Sequence, residues 1–531
     1  MDKSGSSKPG EEKRQLAAVL RSNSSGNSAL RLRLEPSSHF AALRDFLRHS
    51  EFNEPTICHR AGIAGLNEFL FENRKWSTFA TESDGLGILI RLFLIGEQLG
   101  VQVLEGAIPA RALEAMKNLG LLIEDPADNT QLSASAALYP IGCLFIVSDR
   151  WTTPYDKAPG LPADFVYPAI STDSSQFTTN FACEPCENFL ELCSGAGPAA
   201  LEAAGHASHV WAVDITERST QVAEFNRLLN GLDNVTTLKA DLYESLGTLT
   251  FDRIVAHPPY MPVLNPAELY YAGGVDGEQV TRRIVAGLPR YLRPGGRFYG
   301  LVQGSDRDSG PFEQRVRAWL GEEQSEFDIV IAVKATQKPS DTAMQYAVKA
   351  NSGGQTVQQM REALRSLGVE RMVYGWLIMQ RREDDRPVFT TRRSVGPHSG
   401  RDEIAWLLKW ETAAVKPEFI ERVEEARPIA APSLELHTVH RMKEGDLRPD
   451  QFTLHTEYPF SVECQVQPWV SFLLPQCDGK SSVRRLLEFC KESHFVHPET
   501  PLAEFAKLLM VLMSRGLLEV EGFELPAKAT A

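Results

Sequence analysis

The chain has 531 residues, of which 43% are hydrophobic and 23% are charged. This is the balance of a globular protein, with a length sufficient for about three or four domains. The formal net charge of −14 argues against broad, sequence-independent binding to nucleic acid. The longest apolar run, residues 86–94, contains Arg91 and is too short to cross a bilayer. Eight cysteines do not indicate a disulfide framework in so long a chain, and residues 1–15 lack the apolar core of a signal peptide. We therefore expect a cytoplasmic protein without membrane contact.

The N-terminal part of the chain divides into a tail and a helical region. Residues 1–28 are rich in Ser, Gly, Lys and Glu, which predicts a disordered tail. Residues 29–150 predict an N-terminal helical, winged-helix-like domain. Its apolar pattern indicates helices over 39–48, 86–99 and 109–119, then short strands over 121–124 and 131–138. Winged helices often bind DNA. This region lacks a dense basic recognition helix, so we expect it to pack or to present a substrate.

The stretch from residue 188 to residue 262 carries the strongest pattern in the chain. The apolar run 188–192 predicts a buried strand, and the glycine-containing turn 194–197 follows it directly. A second strand, 209–213, ends in Asp214, and a third, 235–240, ends in Asp241. A fourth strand, 252–256, leads into His257. Polar residues thus follow several strands at one edge of a parallel sheet, which is the edge where open α/β sheets bind ligands.

These motifs, in this order, resemble those of class I S-adenosylmethionine-dependent methyltransferases. The sequence ELCSGAG at 191–197 is similar to the family's first motif, and HPPY at 257–260 is similar to its (Asn/Asp/Ser)-Pro-Pro-(Tyr/Phe) motif. The PPY form is typical of enzymes that methylate amide or exocyclic amino nitrogens. Residues 271–304 resemble the release-factor glutamine N5-methyltransferases of the small-domain methyltransferase group. The resemblance spans residues 164–304, about a quarter of the chain.

The resemblance implies a Rossmann-like, seven-stranded sheet in a methyltransferase domain over residues 164–386. Strands over 297–303, 327–333 and 371–379 would complete the sheet, the last two as an antiparallel pair. Residues 164–182 would fold over the cofactor, with a turn at 171–175 as the expected local structure. We expect a loop over 337–341 and a helix over 357–367.

The resemblance also implies the cofactor, S-adenosylmethionine, and the residues that bind it. The backbone of 194–197 would hold the amino-acid end of the cofactor and Asp214 the ribose. Asp241 would contact the adenine amino group, with Leu242 beside the ring. The expected cofactor-binding residues are Glu191, Cys193, Ser194, Gly195, Gly197, Asp214, Ile215, Asp241, Leu242 and His257. The expected catalytic residues, which would hold the methyl acceptor, are His257, Pro258, Pro259 and Tyr260.

The main departure from the family pattern is His257, which stands where the family has Asn. The Asn side chain accepts hydrogen bonds from the target NH₂ group. Histidine offers one acceptor when it is neutral and none when it is charged. His257 would position a different nucleophile, accept a proton, or mark a changed substrate. Glu191 in place of Asp and Cys193 in place of Gly are tolerable changes.

Residues 387–531 predict a C-terminal α+β domain that ends in a winged-helix-like module. The basic stretch 391–401 predicts a solvated loop, with a phosphate or RNA contact as the alternative. Strands are expected over 434–440 and 451–466, and helices over 482–490 and 501–515. The pair Cys183 and Cys186 has no second pair or histidine at ligand spacing, so the sequence predicts no metal site.

Together these features predict a transferase that methylates a protein side chain at an amide or amine nitrogen. A protein substrate is therefore the expected partner, and nucleic acid is the second choice. Three alternatives stay open: an RNA or DNA base amino-methyltransferase, a tailoring enzyme for a small molecule or peptide, and a non-catalytic cofactor-binding regulator. The sequence leaves the oligomeric state open.

Overall fold

The computed structural model describes residues 31–70, 81–150, 162–264, 269, 271–349, 354–396 and 399–526. The predicted tail over 1–28 lies outside the described residues. The α-helices, in chain order, are α1 (Ser37–His49), α2 (Glu54–Ala61), α3 (Gly85–Leu89), α4 (Val101–Ala107), α5 (Ala110–Asn118), α6 (Thr172–Thr179), α7 (Pro198–Ala203), α8 (Glu217–Asn230), α9 (Gln279–Tyr291), α10 (Phe312–Trp319), α11 (Pro339–Lys349), α12 (Gly354–Ser366), α13 (Arg401–Ala414), α14 (Phe419–Glu425), α15 (Val470–Leu473), α16 (Val483–Glu492) and α17 (Leu502–Ser514).

The strands alternate with these helices. In chain order they are β1 (Leu99–Gly100), β2 (Leu122–Glu124), β3 (Gln131–Ala134), β4 (Ala137–Ile141), β5 (Leu144–Ser148), β6 (Cys186–Leu192), β7 (Ala207–Asp214), β8 (Val235–Lys239), β9 (Phe251–Ala256), β10 (Leu292–Arg307), β11 (Phe327–Gln337), β12 (Val369–Arg381), β13 (Thr390–Ser394), β14 (Ile429–Ala430), β15 (Glu435–Lys443), β16 (Asp446–Thr456), β17 (Val462–Val466) and β18 (Leu518–Glu519). No helix among the described residues is both long enough and apolar enough to cross a membrane.

The chain forms two compact units. The first comprises Met1–Thr178, Cys183–Leu292 and Ala343–Leu364, and the second comprises Thr179–Ala182, Arg293–Thr342 and Arg365–Ala531. The domain boundaries expected at residues 150, 164 and 386 remain predictions.

The first unit contains four parallel strands. β6 pairs with β7 on one side and with β9 on the other, and β7 pairs with β8. Helices α7 and α8 provide the crossovers from β6 to β7 and from β7 to β8. Phe189, Leu190, Val210 and Ile254 are fully buried, as expected of strands that are covered on both faces. Because the four strands are parallel, their carboxyl ends lie at the same edge of the sheet.

The N-terminal region of the first unit shares a hydrophobic core with α8. The rings of Phe40 and Phe225 meet edge to face with centroids 4.9 Å apart. Asn226 is fully buried. Its side chain accepts a hydrogen bond from the Val147 N–H at 2.7 Å and donates to the carbonyls of Val147 and Ala196 at 3.0 Å. One asparagine thus ties β5 and the glycine turn to the helix that follows Asp214.

The helix expected over 86–99 is shorter than predicted. α3 continues as a π-helix over Ile90–Ile95, and Gly96 then adopts a left-handed φ of 85°. The Arg91 carbonyl accepts the N–H groups of both Gly96 and Glu97, at 2.9 and 2.8 Å. A glycine in this conformation ends helices efficiently, so the chain leaves the helix before residue 99. α4 was not predicted, and the winged-helix assignment remains a prediction.

The second unit contains four further long strands. β12 pairs antiparallel with β10 and with β11, which confirms the predicted antiparallel pair. β13 pairs parallel with β11, a pairing that the sequence did not predict. The expected count of seven strands in the sheet stays a prediction. The prediction of a solvated loop over 391–401 was wrong for its first residues. Arg392 pairs with Asp306 at 2.8 Å and with Glu313, and Arg393 pairs with Glu411 at 2.7 Å. Partners that are remote in sequence neutralise these charges.

Two other local predictions were also wrong. The expected turn at 171–175 is the start of α6, where the Ser174 N–H donates to Ser171 Oγ at 3.4 Å and the Ser175 N–H donates to the Ser171 carbonyl at 2.9 Å. Ser171 therefore caps a helix, and the segment is not an isolated turn. The expected loop over 337–341 contains the start of α11, with Pro339 in the first turn, where proline is well tolerated.

Helices α13 to α17 form an aromatic core in the second unit. The Trp406 and Trp410 rings stack with centroids 5.7 Å apart, and Phe523 meets Trp410 edge to face at 5.2 Å. β15, β16 and β17 form a separate antiparallel sheet.

Candidate functional site

A tight turn follows β6 and opens α7. Gly195 and Gly197 have φ angles of 53° and 78°, and Cys193 has a φ of 55°. A Cβ at Gly197 would lie 3.3 Å from the Ala223 Cβ, so glycine permits both the left-handed backbone and the close approach of α8. The turn lies between the end of β6 and the start of a helix, as the ligand-binding loops of this fold do.

Asp214 holds this turn from the neighbouring strand. Its Oδ2 accepts the Gly195 N–H at 2.9 Å, and its Oδ1 accepts the Thr216 N–H at 3.0 Å. The carboxylate is buried, and burial raises its pKa above the ordinary value despite these hydrogen bonds. Asp214 therefore fixes the turn and places a buried carboxyl group against the cavity.

Glu191 is the second buried acid of the site. It is 2% exposed and accepts the Ala200 N–H at 2.8 Å. Burial, with a smaller contribution from the charge of Asp214, raises the pKa of Glu191 to about 8. Burial and the Asp214 carboxylate also raise the pKa of the Cys193 thiol, which therefore stays protonated at neutral pH.

Asp241 follows β8 and pairs with a residue that the sequence did not single out. Its Oδ2 accepts a hydrogen bond from Arg283 of α9 at 2.8 Å. Leu242 is buried and has a left-handed φ of 52°, which is uncommon for a leucine and marks a tightly constrained turn. The next residue, Tyr243, stacks on Tyr291 of the same helix with ring centroids 4.4 Å apart. The segment after β8 and helix α9 are thus held together by an ion pair and a ring stack.

The HPPY segment follows β9 and forms an aromatic layer. The half-buried His257 ring is nearly parallel to the Tyr260 ring, at 17° with centroids 5.8 Å apart, and contacts Phe177 of α6 at 5.4 Å. Tyr260 Oη also donates to Asp173 Oδ2 at 3.5 Å. The orientation of His257 is therefore restricted from two sides.

The loop after HPPY supports this layer from behind. The Met261 N–H donates to the Tyr271 carbonyl and the Gly273 N–H donates to the Met261 carbonyl, both at 2.9 Å. A Cβ at Gly273 would lie 2.8 Å from the Tyr260 backbone, and one at Gly277 would lie 2.5 Å from the Tyr260 carbonyl oxygen. The glycines therefore let the loop pack directly against the HPPY backbone.

A segment from residue 162 to α6 provides the other wall. Asp149 anchors it: one carboxylate oxygen, Oδ2, accepts both the Val166 N–H and Arg218 Nε at 2.8 Å. Asp164, Tyr167, Asp173 and Phe177 of this segment line the cavity, as the expectation that this segment folds over a ligand requires.

These elements enclose a cavity of about 760 Å³ within the first unit. Among the residues with predicted roles, Gly197 alone does not line it. Two polar atoms in the wall, Ser194 Oγ and Asp164 Oδ1, are buried without a hydrogen-bond partner in the structure as described. Buried polar atoms normally have partners, so both atoms indicate a polar ligand. The lining carries five carboxyl groups, and Arg283 is its one arginine or lysine side chain among the described residues. The cavity therefore favours a cationic ligand.

Comparisons with known proteins agree with this geometry. Residues 184–306 match a family described as "Methyltransferase domain". The ribosomal protein uL3 glutamine methyltransferase of Bradyrhizobium diazoefficiens is 36% identical over 157 residues, which are 27% of this chain and 49% of the relative. The release factor glutamine methyltransferase of Moorella thermoacetica is 34% identical over 139 residues, 23% of this chain and 49% of the relative. The chain thus spans about half the length of these curated relatives.

Among solved structures, the ribosomal protein L11 methylase of Lactobacillus delbrueckii subsp. bulgaricus is 18% identical. The match covers 38% of this chain and 72% of that protein, with a TM-score of 0.22.

The raised pKa of Glu191 predicts a specific pH dependence of stability. Between about pH 4.5 and pH 8 the folded state keeps the Glu191 proton and the unfolded state releases it. The free energy of unfolding should therefore fall as pH rises, by at most about 1.4 kcal/mol per pH unit for one proton. The variant Glu191→Gln keeps an acceptor for the Ala200 N–H and should lack this contribution. Urea unfolding without added ligand, at several pH values between 5 and 8, measures the difference.

Glu202→Gln, at an exposed position of α7, is the matched control and should follow the wild-type pH dependence. Parallel curves for the wild type and Glu191→Gln would contradict a raised pKa at Glu191.

Proposed function

We propose that the protein uses S-adenosylmethionine to methylate a nitrogen of a protein side chain, since residues 184–306 match a family described as "Methyltransferase domain". The observation that carries this proposal is the edge of the parallel sheet. There the turn held by Asp214, the acid Asp241 and the HPPY segment all face one acid-lined cavity.

The cofactor would lie along the ends of β6, β7 and β8. The turn after β6, with the unpartnered Ser194 Oγ, suits its amino-acid end. Asp214 and Ile215 would contact the ribose, and Asp241 and Leu242 the adenine. When bound, S-adenosylmethionine supplies an electrophilic methyl group on a positively charged sulfur. Neighbouring carboxyl groups disfavour one another's ionised form, whereas a bound cation favours it.

The acceptor would enter beside HPPY. The Pro258 carbonyl, His257 and Tyr260 would hold its nitrogen in a near-attack position, which is the main source of rate in such a transfer. The nitrogen must lose a proton when it gains a methyl group. Two groups at this end of the cavity can accept a hydrogen bond or a proton: His257 when it is neutral, and Asp173 when it is ionised.

A protein acceptor is favoured over nucleic acid on two grounds. The matched relatives are named for methylating glutamine in ribosomal protein uL3 and in release factors. The cavity and the whole chain carry excess negative charge, which repels a phosphate backbone. Acceptors of this kind are part of the translation apparatus, so we place the enzyme in the cytoplasm.

Transfer of a radioactive methyl group tests the class of acceptor. Purified protein and labelled S-adenosylmethionine are added to a lysate of the native host, and the product is treated with protease or with nuclease. We expect label that protease releases and nuclease does not. Tyr260→Ala serves as the control, and it should transfer little label because it removes one side of the aromatic layer. Nuclease-sensitive label, or label only in small molecules, would overturn the choice of acceptor.

The role of His257 can be separated from cofactor binding. In His257→Asn the ring contacts with Phe177 and Tyr260 are lost, so the acceptor should be misplaced. We expect the rate of methyl transfer under cofactor saturation to fall at least about tenfold. Affinity for S-adenosylmethionine, measured by calorimetry, should change less than about threefold.

His209→Asn is the matched control, because His209 contacts Trp211 and Thr236 and does not line the cavity. It should leave both quantities near wild type. A faster transfer in His257→Asn would instead identify the natural chain as a catalytically decayed regulator.

A further inference from the structure

The sheet of β15, β16 and β17 carries a cluster of metal-ligand side chains far from the catalytic motifs in sequence. Glu435 and His437 lie on β15, and His455 lies on β16. Glu435 and His455 are direct cross-strand partners, and His437 is two residues from Glu435, so all three side chains lie on one face of the sheet. One ligand atom from each lies within 4.8 Å of those of the other two.

The two imidazoles converge on a single carboxylate oxygen. His437 Nε2 lies 2.8 Å and His455 Nδ1 lies 3.5 Å from Glu435 Oε2. The two rings are nearly parallel, at 19° with centroids 5.1 Å apart. His455 Nδ1 is shielded from solvent yet lacks a well-formed hydrogen bond. The His455 side chain as a whole is 31% exposed, and this nitrogen faces the Glu435 carboxylate.

These separations approach those of a metal site. Ligand atoms at about 2.0–2.2 Å from a tetrahedral zinc ion are roughly 3.3–3.5 Å from one another. Glu435 and His437 are exposed, so their side chains have room to rotate toward this geometry. Two imidazoles and one carboxylate are ligands that zinc-like ions prefer, whereas Mg²⁺ and Ca²⁺ prefer oxygen alone.

We propose that Glu435, His437 and His455 form a binding site for one divalent transition-metal ion of the zinc class. The sequence did not predict it, because the two histidines are 18 positions apart and meet only through the register of the hairpin. Glu463 of β17 is the cross-strand partner of His455 and therefore lies on the same face of the sheet. It is the natural candidate for a fourth ligand. A bound ion would join β15, the edge strand, to β16.

Metal titration of the full chain, prepared without a histidine tag, tests the proposal. Calorimetry with ZnCl₂ should show a site that is lost or at least about tenfold weaker in His437→Gln and in His455→Gln. Mg²⁺ should not compete. Because the chain also has eight cysteines, Co²⁺ absorption provides a second readout. The Co²⁺ absorption band that the variants lose should be one of nitrogen and oxygen ligands, and it should lack a thiolate-to-cobalt charge-transfer band.

His440→Gln, an exposed histidine on the same strand outside the cluster, is the matched control and should bind as the wild type does. Glu435, His437 and His455 are partly or fully exposed, so we expect the variants to fold. Circular dichroism checks this. Equal zinc affinity and stoichiometry in wild type, His437→Gln and His455→Gln would overturn the proposal, and the cluster would then be an ordinary carboxylate–imidazole contact.

Discussion

The hydrogen bonds of Asp214 are the constraint on which the rest of the site depends. One carboxylate at the end of β7 holds the Gly195 N–H of the turn after β6 and the Thr216 N–H at the start of its own crossover. Two strand ends are thereby joined at the edge where parallel sheets bind ligands. Asn226 reinforces the arrangement from α8 by binding the Ala196 carbonyl and β5. The N-terminal region therefore contributes to the shape of the cavity through packing and backbone hydrogen bonds.

The electrostatics of the cavity follow from the same arrangement. Glu191 and Asp214 are both buried, and burial raises the pKa of each. The ionised form of such a group is costly without a compensating cation. Arg283, the one arginine that the described residues contribute to the lining, already pairs with Asp241. A cationic cofactor, as proposed for this site, would relieve this imbalance.

Much of the site was predictable because its residues are local in sequence. The strand ends, the glycine turn and HPPY can each be identified from a few consecutive residues. The structure places them around one cavity. Arg283 was missed because its partner, Asp241, is met only when α9 packs against the end of β8. β13 was mistaken for a loop for the same reason, since Asp306, Glu313 and Glu411 neutralise its arginines from remote positions. A single sequence does not show which charged residues that are far apart in the chain will form ion pairs.

The most direct measurement is the affinity for S-adenosylmethionine, by calorimetry, of the wild type and of Asp214→Asn. Loss of a hydrogen-bonded charge should weaken binding by about 10- to 100-fold, since such bonds contribute roughly 1.5–3 kcal/mol. Asp233→Asn, in an exposed turn of the same unit, should bind like the wild type. Equal affinity in wild type and Asp214→Asn, or no binding by the wild type, would contradict the assignment of this sheet edge as the cofactor site.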